Sequence, residues 1–209
     1  MIRSGKKTGT RARSVLMGLA VVAVAVVSIS LLTPFLGRAR FGPMRGFTMG
    51  PRSFGMMREV HAMADLESEF DYMVRMIPHH REAVESARTL RDQTDRPEMA
   101  AFAETIITTQ SREIEQMQAW LAAWYPQRST EVDYTPMMRG YSGLSGDEVD
   151  LAFLQDMIPH HMAAVMMSEQ LLSQVNTEHS ELEELAASIR STQTQEIRQM
   201  SLWMDRWFN

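Results

Sequence analysis

The pentapeptide Met-Ile-Pro-His-His occurs twice, at residues 76–80 and 157–161, and takes four of the six histidines in a chain of 209 residues. Each copy sets a proline, Pro78 or Pro159, inside an otherwise helical pattern. There the ring removes an intrahelical hydrogen bond and clashes with the carbonyl four residues back, at a cost of roughly 3 kcal/mol. A helix that carries this burden twice needs a compensating role for the histidines that follow.

The repeat extends well beyond the pentapeptides. At an offset of 81, Phe70, Tyr72, Val84 and Leu90 meet Leu151, Phe153, Val165 and Leu171. At an offset of 83, Gln110, Glu113, Ile114, Gln116, Met117, Trp120 and Trp124 meet Gln193, Glu196, Ile197, Gln199, Met200, Trp203 and Trp207. Each unit therefore reads as two long amphipathic helices, over about 65–91 and 97–125, then 146–174 and 180–208. Ser145 with Glu148 and Ser180 with Glu183 carry the pattern of helix-start capping boxes. Short loops make each pair an antiparallel hairpin. The segment 126–144, with Pro136, Gly140 and Gly143, is long enough at ~3.3 Å per residue to run the length of a bundle. The expected fold is all-α: a ferritin-like four-helix bundle over 64–209, built from a duplicated hairpin (64–125 and 146–209) with a long crossover at 126–145.

Alternating steps of four and three trace the inward seam of the second helix in each unit. The first seam is Met99, Ala103, Ile106, Gln110, Glu113, Met117, Trp120, Trp124; the second is Leu182, Ala186, Ile189, Gln193, Glu196, Met200, Trp203, Trp207. Both are apolar at their ends and polar in the middle. A buried carboxylate needs a cation, a donor or solvent. Antiparallel pairing brings the histidines to the height of these glutamates. Met76 with His80, and Met157 with His161, stack one turn apart on one helical face. Adjacent histidines diverge by about 100° on an ideal helix, so the second ring of each pair either is redirected at the proline or serves another site. Imidazole with thioether donors points to copper, Cu(I) more strongly as methionine content rises, while glutamate adds tolerance for Cu(II) or zinc. Met162 and Met166 replace Arg81 and Glu85 of the first unit, which makes the second half softer. The tryptophans read as packing at the bundle ends, and His61 and His179 as loop residues.

The remainder of the chain points to an extracytoplasmic setting. Residues 1–52 carry 9 of the 21 basic side chains and no acidic one, leaving the rest with 12 basic against 26 acidic residues. That acidic body argues against a nucleic-acid surface. After the basic segment 1–14, the apolar run 15–36 is long enough to cross a bilayer and reads as a transmembrane or signal-anchor helix, with the bundle outside. A secreted form cleaved near Gly37 and Ala39 is the alternative. Residues 37–63 form a linker rich in methionine, glycine and proline, either a plain tether or a low-affinity collector of soft cations. There is no cysteine, and there are 19 methionines. Soft ligation here therefore falls to thioethers, which form no disulfides in an oxidising compartment.

The MIPHH pentapeptide, followed by Q-x-x-E-I-x-x-M and a tryptophan three residues on, resembles the CopM-like bacterial proteins, a family catalogued as a domain of unknown function. The resemblance covers about residues 64–209, and both motif copies are intact. It implies an exported ferritin-like bundle that binds copper through histidine and methionine and contributes to copper tolerance. Carried over by position, it implies Met76, His79, His80 and Met117 as ligands in the first half and Met157, His160, His161 and Met200 in the second. Glu113 and Glu196 match as ligating or orienting residues; Gln110, Gln193, Met162 and Met166 are additional candidates. The expected cargo is copper, with zinc or silver as alternatives. The leading function is a membrane-tethered protein that buffers copper or passes it to a partner protein without turnover. A metal-dependent oxidase on the same bundle and a metal-free structural bundle are the competing classes.

Overall fold

The structure, a computed structural model, describes residues 66–209. The basic segment, the apolar run, the methionine-rich linker and His61 lie outside the described residues. Among the described residues there are four helices and no strand: α1 (Glu69–Gln93), α2 (Pro97–Trp124), α3 (Asp147–Gln174) and α4 (Ser180–Phe208). None is long and apolar enough to cross a membrane. Both α1 and α3 continue helical through their internal prolines.

Helix starts differ from the sequence reading at three points. Ser68 caps α1, its Oγ accepting from the Asp71 amide at 3.2 Å. Before α3 the cap is Gly146 rather than Ser145, because the turn needs its positive φ of 53° and its amide donates to the Gln93 carbonyl at 2.9 Å. A Cβ there would sit 2.9 Å from a carboxylate oxygen of Asp95. Before α4 the cap is His179, and Glu183 accepts from Thr177 instead of closing a box with Ser180.

α1 packs on α2 and α3 on α4, and the two hairpins meet chiefly through α1 and α3. These central helices run antiparallel: Tyr72 near the start of α1 bonds Ser168 late in α3 at 3.0 Å, while the Gln93 carbonyl at the end of α1 meets Gly146 at the entry to α3. Residues 125–146 must therefore return along the bundle. Tyr125 bonds Glu69 at one end of α1, Tyr134 and Met138 reach Glu82 at its middle, and Arg139 clasps buried Asp156 with contacts of 2.6 and 2.7 Å. The long crossover expected from sequence is the strap that closes the fold.

The core has two apolar halves. One joins Tyr72, Met73 and Met76 to Met117, Leu121, Met167, Leu171 and Ile189; the other joins Ala87 and Leu90 to Met99, Ile106, Phe153, Leu154, Met157 and Met200. Stacked tryptophans flank them, Trp120 on Trp124 and Trp203 on Trp207. His179 is more ordered than a loop residue need be, since its ring lies 3.7 Å from Trp124 and its Nδ1 donates to Glu69 at 2.6 Å.

Glu69 is 3% exposed and also accepts from the Tyr125 hydroxyl and the Glu178 and His179 amides. Burial alone would raise its pKa, but these donors outweigh burial and hold the carboxyl below its ordinary value. Its contribution to stability is therefore present above the ordinary glutamate range and lost as pH falls through the lowered pKa. Glu69→Ala, which orphans these donors, is expected to destabilise the fold by about 3 kcal/mol in chemical denaturation at neutral pH.

Candidate metal centre

Between the two apolar halves lies a layer of imidazoles. His79, His80, His160 and His161 are all fully buried. The helical pitch sends adjacent rings apart, with centres 6.1 Å apart for His79 and His80 and 6.3 Å for His160 and His161. The antiparallel crossing of α1 and α3 instead brings one ring from each repeat together: His79 stacks on His160 with centres 3.7 Å apart and planes at 28°.

Every Nε2 in the layer has a partner. His80 donates to Glu113 and His161 to Glu196, both at 2.8 Å. His79 donates to the His160 carbonyl at 3.1 Å, and His160 to Glu82 at 3.1 Å. With Nε2 protonated, the lone pair of a neutral imidazole resides on Nδ1. All four Nδ1 atoms are buried without a hydrogen-bond partner. Buried polar atoms are almost always paired, and these four unpartnered ring nitrogens form a donor set that could hold a metal ion. Their partners also hold each ring by its far nitrogen, as carboxylates and carbonyls do for metal-bound histidine.

Electrostatics keeps His79 and His160 neutral. Burial, then the neighbouring imidazoles, push His79 and His160 well below the ordinary histidine value. Glu82 is pushed up by burial, against hydrogen bonds from Tyr134, Met138 and Met137.

The remaining expected residues divide cleanly. Met76 and Met117 are buried in one apolar half, and Met157 and Met200 in the other, so each repeat's pair of thioethers borders the layer from its own side. Gln110 and Gln193 are buried at the same level, each with Oε1 unpartnered. Met162 is 42% exposed and Met166 packs against Met137 of the strap, so these two do not join the layer. Glu82 is not among the residues expected from sequence, and its counterpart in the second repeat is Ala163. The only hint was a glutamate three residues after His79. Tyr134 and Met138, which hold Glu82, carried no readable signal. Among the described residues, no three histidine, aspartate or glutamate side chains gather at a single ion position.

Residues 69–204 match the family described as Domain of unknown function (DUF305). The chain belongs to that family. The resemblance read from the paired motifs is borne out by solved structures as well. CopM in its Cu(I)-bound form is 31% identical, with a TM-score of 0.63, covering 69% of this chain and 100% of that one. CopM in its Cu(II)-bound form is 32% identical over 68% of this chain and 99% of that one, with a TM-score of 0.58. A DUF305 protein from Streptomyces coelicolor is 26% identical over 65% and 89%, also at 0.58. No curated protein sequence matches.

Since the folded pKa values of His79 and His160 lie below ~6.5, the unfolded chain binds more protons below that pH. Stability of the metal-free protein should hold above pH ~6.5 and fall as the pH is lowered toward the depressed values. Urea midpoints across this range check it, and a H79Q/H160Q variant should show a shallower slope.

Proposed function

We propose that this DUF305 protein is an extracytoplasmic, membrane-tethered carrier that binds monovalent copper in its bundle core and buffers or hands over the ion without chemical turnover. The observation that carries the reading is the set of four buried and unpartnered Nδ1 atoms, each on a ring held by its Nε2. The separation of adjacent rings supports a particular arrangement. Two metal–nitrogen bonds of about 2 Å, with about 1.2 Å from each nitrogen to its ring centre, separate the centres by at most roughly 6.4 Å. The 6.1 and 6.3 Å spacings fall within that limit, so one ion shared by the two rings of each repeat is sterically open.

In this scheme His79 and His80 take one ion and His160 and His161 a second, with Met76, Met117, Met157 and Met200 supplying soft donors on either side. Glu113 and Glu196 orient His80 and His161. Buried imidazoles and thioethers suit a monovalent soft cation, which brings less charge into an apolar interior than Cu(II) or zinc. The similarity to CopM structures with Cu(I), Cu(II) and silver bound supports the choice of metal. The basic segment and apolar run before residue 37 support a bilayer anchor, with a cleaved, secreted form as the alternative. A ferritin-like arrangement of the bundle, a role in copper tolerance and delivery to a second copper protein complete the proposal.

Competition against a Cu(I) chelator under reducing conditions tests it. The full chain is expected to bind two tight equivalents, and H79A/H80A/H160A/H161A none; equal tight binding by both would refute the reading. Glu113→Gln should weaken one equivalent by about 10–100-fold, as loss of an orienting partner generally does. Because copper competes with protons for imidazole, affinity should decline as pH drops.

A further inference from the structure

The strap places a second collection of sulfur atoms outside the histidine layer. Met137 is 6% exposed and packs with buried Ala163 and with half-buried Met166 of α3. Met162, one turn before Met166 on the same helical face, is 42% exposed. This gives three thioethers in graded exposure from solvent to interior. The group belongs to one half only, since the first repeat has Arg81, Glu82 and Glu85 where the second has Met162, Ala163 and Met166. The small side chain of Ala163 leaves room for Met137 to seat.

We infer that Met137, Met162 and Met166 form a thioether site for a soft monovalent cation, Cu(I) or Ag(I), at the rim of the bundle beside the His160–His161 pair. Thioethers are neutral, weak hydrogen-bond acceptors with polarizable sulfur. Three of them discriminate toward soft d10 ions and offer little to zinc or magnesium. The location gives the site a use. The histidines are fully buried, so an ion must enter past some element. The Met137 and Met138 amides hold Glu82, which accepts from His160. An ion on the sulfur cluster therefore waits against the part of the strap that is bonded, through one carboxylate, to the deeper site. This role as an entry site rests on the copper reading above; the cluster itself does not.

Silver titration of the full chain in detergent micelles, labelled with 13C at the methionine methyls, separates the two. The Met137, Met162 and Met166 signals, assigned from single leucine variants, are expected to shift together with silver added beyond the tight equivalents. Replacing any one by leucine preserves side-chain volume. It should weaken the response of the other two by roughly tenfold or more, because even removing a residue that only orients a ligand costs about 10–100-fold. In H79A/H80A/H160A/H161A the tight equivalents should vanish while the three methyls still respond. Methyl signals that stay fixed, or that move independently of one another, would overturn the cluster whatever the histidine sites do.

Discussion

Four imidazoles inside an apolar bundle impose one constraint on everything around them: each ring must have a partner for its N–H. The cost of leaving such a group unpaired in a low-dielectric interior is about 1–3 kcal/mol, and the fold meets it four times by three kinds of placement. Glu113 and Glu196 come from the second helix of each hairpin, the His160 carbonyl from across the central crossing, and Glu82 from a helix clamped by the strap. The packing of α1 on α3, the register of each hairpin and the path of residues 125–146 are all tied to this layer.

How the two repeats meet explains what could be read beforehand. The seam Gln110, Glu113, Met117 and its copy Gln193, Glu196, Met200 were legible because helical periodicity is a local property. The bonds from His80 to Glu113 and from His161 to Glu196 follow from that periodicity plus a short loop. The contacts across the crossing were not legible. His79 on His160, and His160 on Glu82, depend on how two hairpins dock, which no spacing within either one encodes. Caps failed for a related reason: Gly146 and His179 take the cap positions because Gln93 and Glu69, distant in sequence, bind them there.

The divergence of neighbouring histidines arises without any break in the helix, so neither ring of a pair is redirected at the proline. Pro78 and Pro159 leave α1 and α3 continuous. Their missing amides spare the carbonyls of Val74 and Gln155 a helical donor, one turn before the histidine pairs.

The near-symmetry of the layer bears on ancestry. A lone hairpin would offer His79 no carbonyl from a facing helix and would expose the surface that α3 covers, so a half-length forerunner would have needed a second copy of itself, docked antiparallel about a two-fold axis. Fusion of two such copies then freed one of them to change: Glu82 could remain on one side and become alanine on the other, and the joining segment could settle over the side that kept it. The present chain reads as a dimer made permanent, whose two halves have since become chemically unequal.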